Sequence, residues 1–416
     1  MYIPCWLIGL NSRGIWFVPN SRQIRVAQFL NGTVRAGAEE VALELARGLR
    51  PEIFRSYLVC PQQLLDAFAQ DWKEVHVVDW PLSLESPWQF RKAKEFVDFL
   101  RSENIDVVHA HMVRAGLAAV PLARLAGTPV VVQTCHGREA WRTSWVSRRY
   151  WIDRRIAAWS DATVAVSEST LQYLKEVKRI DPSRTMLIRN GRPTNGYDKP
   201  TRIREDRLRT EFGLQPGDRV VGVFGRLEEQ KGHKHLLQAI PSVLKAIPSL
   251  KVLFVGEGGL RTVLQHDVQS RGLAHRVVFT GYRRDCNEIM AICDLIALPS
   301  LFEGMPLVPI EAALLGKPVL ATAVDGTTEV VVDEVTGVLV PPAQPAAMAK
   351  ALTDLLLDQE KLLTLGKQAQ ARAQRVFSVD RQIEETEKLY LNLLGKPKIA
   401  HNVAARIAAR LLPSSQ

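Results

Sequence analysis

The sequence predicts an α/β protein built as two doubly wound units, each a parallel sheet buried by helices on both faces, set on either side of a cleft. Three observations carry this expectation. The chain has 416 residues, and at about 150 residues per domain that fills two or three cores rather than one. Short β-branched runs alternate with longer amphipathic segments along most of its length. The alternation stops once, over residues 190–206, and then resumes.

In the first half the strand runs are IRVAQFL (24–30), SYLVC (56–60), VHVVDW (75–80), DVVHA (106–110), PVVVQTCH (129–136) and ATVAVS (162–167). Helical segments such as EEVALELARGLR (39–50) and AGLAAVPLARLAG (115–127) separate them. Runs apolar on every position, not every second one, belong to strands covered on both faces. The stretch NGRPTNGYDKPTRIRED (190–206) is rich in glycine, proline and charge with no apolar period, and reads as the interdomain linker. After it come RVVGVFG (219–225), KVLFVG (251–256), RVVFTG (276–281), DLIALPS (294–300), KPVLATAV (317–324) and GVLVPP (337–342). Helices are expected at 233–247, 259–271, 285–292, 307–315 and 345–357.

Composition narrows the function classes. With 46% hydrophobic and 24% charged residues the chain buries real cores and is not a disordered protein. Its five cysteines are odd in number and scattered, with no Cys-x-x-Cys, which points to a reducing compartment and away from structural zinc. The net charge of +10 is spread along the chain without a nucleic-acid motif, so nucleic acid is excluded as the partner. Anionic small substrates and anionic membrane surfaces fit that charge better.

At the start, MYIPCWLIGLNSRGIWFVPN is interrupted by Asn11, Ser12 and Arg13 and reads neither as a spanning helix nor as a signal peptide. Residues 1–21 are an extension or an anchoring lead-in, and both readings stay open. Residues 396–416 carry Lys396, Lys398, Arg406 and Arg410 and no acidic side chain. That tail reads equally as a membrane-surface helix or a solvated terminal one.

Ligands of open α/β sheets bind at the carboxyl ends of strands, so the loops there hold the chemistry. In FGRLEEQKGH the strand ends at Gly225 and a helix begins near Gly232, setting Arg226 and Lys231 at a helix N-terminus suited to phosphate. A solvated turn is the competing reading. The turn VGEGGL (255–260) lets backbone approach a ligand closely, yet Gly-x-Gly is common in such folds.

In LFEGMPLVPIE (301–311) a helix is expected from Pro306, a favoured first helical residue, with the amides of Gly304 and Met305 aimed at the cleft. Glu303 lies in the loop and Glu311 one to two turns inside the helix. A carboxylate accepts two hydrogen bonds from a vicinal diol, which suits one glutamate to a ribose and the other to a sugar ring. The alternative is a helix-start acid followed by a solvated face. Ile310, Ala312, Ala313 and Leu314 around Glu311 weigh against that second part.

In the first half Ala36-Gly37-Ala38 opens a helix able to receive oxygens on its amides. His136 ends a strand and precedes Gly137, as a cleft residue or a structural one. His109 and His111 have no acidic or cysteine partner in the sequence that would make them a metal pair.

These motifs, in order, resemble the retaining glycosyltransferases of family 4. The matching stretches are RAGAEEVALELARGL, VVHAHMVRAGLAAVPLARLAGTPVVVQTCHG, VAVSE and IRNG in the first half. In the second they are GRLEEQKG, VGEGG, FTGYRRD, LPSLFEGMPLVPIEAALLGKPVLAT, DGTTEVV and TGVLVPP, so the resemblance spans roughly residues 24–378. It implies the GT-B fold, two Rossmann-like domains facing each other across a cleft. The domains would be an acceptor-side domain at 22–193, a linker at 194–205 and a nucleotide-sugar domain at 206–378. A helix at 379–395 would cross back to the first domain.

The resemblance also implies roles. Arg226 and Lys231 would hold the donor diphosphate, Glu311 the ribose and Glu303 the hydroxyls of the transferred sugar. Gly37 would lie against phosphates or acceptor, and His136 near the reacting sugar. Gly225, Gly256, Gly281, Tyr282, Gly304, Met305, Pro306 and Leu307 would line the donor. Ala36 departs from the family's usual Gly-Gly, which puts the role of residue 36 in doubt but not that of Gly37. The implied reaction takes a UDP- or GDP-sugar to a hydroxyl of a lipid-linked or glycan acceptor in envelope polysaccharide or lipopolysaccharide synthesis, without cofactor. The sequence contains no Asp-x-Asp, as expected of a metal-independent site. A GT-B epimerase or phosphorylase would share the architecture, as would a silent nucleotide-sugar-binding subunit. His136 and Gly37 argue against the silent subunit.

Residues 138–155 mix Arg138, Arg142, Arg148, Arg149, Arg154 and Arg155 with Trp141, Trp145, Tyr150 and Trp151. They read either as a membrane- or acceptor-facing segment or as a core-packed helix with Trp141, Trp145, Ile152, Ile156 and Trp159 inward. A cytoplasmic protein attached peripherally to the anionic inner face of the membrane is the resulting expectation.

Overall fold

The β-branched runs become strands buried on both faces. The computed structural model describes residues 22–68, 75–80, 89–139, 150–198 and 200–395, together with a two-residue antiparallel pairing of β1 (Gly9–Leu10) with β2 (Trp16–Phe17). Most of the expectations for 1–21, all of those for 396–416, and those resting on Trp141, Arg142, Trp145, Arg148 and Arg149 lie outside the described residues. In the Trp151–Trp159 helix Ile156 and Trp159 turn inward as expected, whereas Ile152 is 41% exposed, because the buried face runs through Asp153, Ile156 and Ala157.

The first sheet has β3 (Ile24–Phe29), β4 (Phe54–Cys60), β5 (His76–Asp79), β6 (Val107–His111), β7 (Val130–Cys135), β8 (Ala162–Ala165) and β9 (Thr185–Leu187), in the order β5-β4-β3-β6-β7-β8-β9. The second has β10 (Arg219–Phe224), β11 (Leu250–Val255), β12 (Val277–Gly281), β13 (Leu295–Leu298), β14 (Val319–Thr322) and β15 (Gly337–Val340), in the order β12-β11-β10-β13-β14-β15. Within both sheets every pairing is parallel. Each order reverses beside its first strand, which is the doubly wound pattern that opens a crevice at the strands' carboxyl ends.

Apolar faces of the helices cover each sheet. In the second, Val221, Val223 and Leu295 pack with Leu236, Leu237 and Ile240 of the His233–Ala246 helix. Val220, Phe224 and Ile296 pack on the opposite face with Leu208 and Ala312. In the first sheet Val26, Val107 and Val132 meet Val41 and Leu45 of the Gly37–Gly48 helix. The carboxy-terminal helix Val379–Gly395 joins that same cluster through Val379, Ile383, Leu389 and Tyr390.

The chain therefore passes between the sheets twice, and the two passages lie side by side. Arg192 N donates to the Phe377 carbonyl and Val379 N to the Arg192 carbonyl, both at 2.9 Å. A Cβ on Gly191 would meet the Ser378 carbonyl oxygen at 2.3 Å, so glycine is what lets the two backbones touch.

Two expectations need correction. The segment 194–205, read as linker, contains the start of a helix, Arg202–Glu211. Its faces are nearly all charged, so no apolar period marked it. It is held instead by the Thr201 cap, by Arg204 on Asp285 and Glu288 at 2.5 Å each, and by fully buried Leu208. The helix expected from Pro306 begins two residues later, at Val308, with Pro309 in its first turn. Tertiary contacts hold the preceding residues out of the helix: Glu303 N donates to Asp325 Oδ2 at 3.1 Å, and the Met305 carbonyl accepts from Asn190 Nδ2 at 3.1 Å.

Candidate active site

At the carboxyl ends of the second sheet, two neighbouring loops are stitched into one surface. Leu301 N donates to the Gln230 carbonyl at 2.8 Å, and Gln230 Nε2 to the Phe302 carbonyl at 3.0 Å. This ties the loop after β13 to the loop after β10. Between them, Lys231 Nζ lies 2.6 Å from Glu303 Oε1, and buried Ser300 donates to the same oxygen at 2.7 Å. Glu303 is 6% exposed, so its charge rests on these two donors and on little water.

Three glycines end neighbouring strands beside this pair. Gly225 lies against the Lys231 stem, and Gly256 N donates to the Gly281 carbonyl at 2.9 Å. Gly256 has φ +144° and a Cβ there would sit 2.0 Å from the Gly225 carbonyl oxygen, so only glycine fits. Arg226 is half-exposed and pairs with Glu228 at 2.7 Å. Its charge also reaches Glu39 in the first turn of the Gly37–Gly48 helix. Burial pushes the Glu39 carboxyl up, and Arg226 is among the groups that pull it back. Tyr282 stands exposed, away from these contacts.

The first domain closes against this surface. A Cβ on Gly304 would lie 1.8 Å from the His136 carbonyl oxygen, which places the end of β7 directly on the Glu303–Gly304 backbone. Leu307 reaches Gly37, where an added Cβ would meet it at an ordinary 3.7 Å. Arg138 pairs with Asp325 at 2.9 Å and Arg189 with Glu329 at 3.0 Å. Half-buried His136 is neutral, since burial pushes its imidazole down to about 4.

Glu311 is separate from Glu303. It lies 3.0 Å from Arg192 Nε, which also donates to the Tyr197 hydroxyl at 3.2 Å, while Arg192 Nη1 stands 3.8 and 3.9 Å from Glu40 and Glu44. Burial raises the Glu311 carboxyl and Arg192 opposes it. The helical face around Glu311 is buried rather than solvated, with Ile310, Ala312, Ala313 and Leu314 all in the core.

The structure thus brings Glu303, Lys231, Gly225, Gly304 and the His136 backbone together, with Gly37 and Leu307 at the edge. It does not join Glu303 to Glu311, and Met305 and Pro306 are buried. Sequence reasoning missed Arg192, which sits in the stretch read as linker, and Ser300 and Asp325. Asp325 opens DGTTEVV, whose glycine and acid follow a strand end. That was the one legible signal among these three. Arg138 was singled out in the sequence, but as acceptor- or membrane-facing, and the structure pairs it with Asp325.

A partly buried cation and a buried carboxylate at strand ends, with the His136 backbone against the neighbouring Gly304, can bind an anion and a polyol at one place. Comparison with known proteins gives the family. The family model for glycosyl transferases group 1 matches residues 204–372, and that for glycosyltransferase family 4 matches residues 35–195. The UDP-Gal:alpha-D-GlcNAc-diphosphoundecaprenol alpha-1,3-galactosyltransferase of Escherichia coli is 24% identical over 380 residues, covering 89% of this chain and 98% of that enzyme. The lipopolysaccharide core biosynthesis mannosyltransferase LpsB of Rhizobium meliloti is 27% identical over 255 residues, 58% of this chain and 70% of its own. The crystal structure of Anabaena Alr3699/HepE in complex with UDP and glucose superposes with a TM-score of 0.78 at 22% identity, over 89% of this chain and 100% of that one. With one family model on each sheet and a two-sheet fold shared with these structures, the chain belongs to the group 1, family 4 glycosyltransferases of GT-B fold.

Proposed function

We propose that the protein is a retaining, metal-independent hexosyltransferase. It moves a sugar from a UDP- or GDP-sugar to a hydroxyl of a glycan or lipid-linked acceptor in envelope polysaccharide or lipopolysaccharide synthesis. The observation that carries this reading is the partly buried Lys231–Glu303 pair, 2.6 Å apart, under the His136 end of β7. Lys231, with Arg226 beside the same loop, supplies fixed positive charge where a departing diphosphate gains negative charge, so no metal ion is needed for that task. Glu303 accepts hydroxyls of the transferred sugar and Glu311 those of the ribose.

In the reaction the anomeric C–O bond to the β-phosphate breaks and a bond to the acceptor oxygen forms on the same face. The acceptor's proton passes to the leaving phosphate oxygen. Residues 22–193 serve the acceptor side and 206–378 the donor side. The name of the Escherichia coli relative specifies a UDP-sugar and a diphosphoundecaprenol-linked acceptor, and HepE was crystallised with UDP and glucose, which supports a nucleotide-sugar donor.

Peripheral attachment to an anionic membrane face in the cytoplasm is part of this reading, supported by the +10 charge. No helix among the described residues is long and apolar enough to cross a membrane. The test is proton NMR of the product formed with and without chelator. Retained anomeric configuration at an unchanged rate is expected, and an inverted product or a chelator-abolished reaction would overturn the assignment.

A further inference from the structure

His109 and His111, each 1% exposed on β6, are not a metal pair but links in a buried hydrogen-bond chain that reaches the cleft. Gln28 on β3 and Tyr390 on the carboxy-terminal helix are fully buried beside them. Gln28 Nε2 donates to the Tyr390 hydroxyl at 3.1 Å, and Gln28 Oε1 lies 2.8 Å from His111 Nε2. His111 Nδ1 lies 3.3 Å from His136 Nε2. On the other branch the Tyr390 hydroxyl is 2.6 Å from His109 Nδ1, and His109 Nε2 is 2.6 Å from Thr134 Oγ1.

With the Gln28 amide oriented so that its nitrogen meets Tyr390 and its oxygen His111, counting protons fixes every other link. The Gln28 oxygen only accepts, so His111 carries its proton on Nε2. A neutral His111 then has a bare Nδ1, which accepts from His136 Nε2–H. The same count leaves His136 Nδ1 bare. The Tyr390 hydroxyl, having accepted from Gln28, donates to His109 Nδ1, and His109 Nε2–H donates to Thr134. Burial keeps the three imidazoles neutral, His109 at about 3 and His136 at about 4, with His111 held well below its usual range. Reversing any one link forces the rest to reverse or leaves a buried donor unpaired, which is costly in a low-dielectric interior.

We propose that Gln28, His111 and Tyr390 are positioning residues that lock His136 in one neutral tautomer, Nε2–H turned inward and Nδ1 bare as an acceptor for a hydroxyl in the cleft. The last clause rests on the glycosyl-transfer reading, and the tautomer itself does not. Docking of the carboxy-terminal helix completes the chain, because Tyr390 is the only link that helix supplies among the described residues. That helix thus orders a group at the opposite end of the network rather than serving only as cladding.

The experiment is long-range proton–nitrogen NMR on the full chain labelled with nitrogen-15 in histidine, with His136 assigned by its loss in His136→Asn. The wild type is expected to show His136 with Nε2 protonated and Nδ1 unprotonated. In Tyr390→Phe and His111→Phe the His136 shifts should move toward the average of the two tautomers. Either variant suffices if the other does not fold. A wild-type His136 protonated on Nδ1, or a tautomer unchanged in a folded variant, overturns the proposal. A purely structural network would lower Tm in both variants and leave the His136 spectrum as it was. If the tautomer is as stated but no UDP- or GDP-sugar is turned over, the positioning stands and the functional reading falls.

Discussion

Lys231 and Glu303 each satisfy the other's charge in a place with little water, and that mutual dependence sets what their removal does. Lys231→Ala strips Glu303 of a donor and, in the proposed reaction, the leaving diphosphate of its fixed cation. Turnover should fall about 100-fold to 1000-fold, as on loss of one preorganised donor. Arg226→Ala should fall by a similar factor, because its charge faces the first turn of the Gly37 helix across the cleft. Steady-state rates with a saturating donor check both, and near-normal turnover in the two variants would remove them from the site. At this scale the sequence was informative about which residues gather at strand ends, as at Lys231, Glu303 and His136. It was silent on Arg192 and Tyr390, whose importance comes from partners far away in the chain. Nothing local distinguishes an arginine in a glycine-rich stretch from a solvated one until Glu311 is seen 3.0 Å away.

Among the elements, the loop between β13 and the Val308–Leu314 helix is decisive. Its residues stay out of the helix because Asp325 and Asn190 claim their backbone groups. Those long-range bonds explain why a helix expected from Pro306 starts at Val308. Gly304 sits where that loop meets the His136 carbonyl, so Gly304→Ala forces the two backbones apart. Misplacement on the ångström scale costs about 100-fold in rate. Gly304→Ala should therefore lose about that much turnover with a circular-dichroism melt close to wild type. A fully active Gly304→Ala enzyme would show that this closure is not used in catalysis. The strands themselves were legible because buried parallel strands read as unbroken β-branched runs. The Arg202–Glu211 helix was not, since its stability lies in a cap and two ion pairs instead of an apolar stripe.

For the whole molecule, three buried histidines and the half-buried His136 make stability depend on pH. His109 is pushed down to about 3 and His136 and His233 to about 4, while His111 is also lowered. The unfolded chain binds these protons near 6.5 and the folded one refuses them until lower pH. Their contribution is therefore constant above about 6.5 and is lost as pH falls toward 4. Glu39 and Glu311, raised by burial, act in the opposite sense. A variant isolates the histidine effect: neither ring nitrogen of His233 has a partner among the described residues, so His233→Leu deletes a titrating group without breaking a bond. Its Tm should fall less between pH 7 and 5 than that of the wild type, and an identical slope would contradict the assignment. The two-sheet plan was readable from alternation and one pause in it, whereas the closeness of the domains was not, because it rests on backbone contacts at Gly191 and Gly304 that leave no periodic trace. Sugar transfer from a nucleotide in the closed cleft, as proposed, is tested most directly by nucleoside-diphosphate release by the full chain across a panel of UDP- and GDP-sugars, run beside Lys231→Ala. Release from at least one donor in the wild type, reduced about 100-fold or more in the variant, is the predicted result. No release from any donor, or release that Lys231→Ala leaves unchanged, would contradict the account.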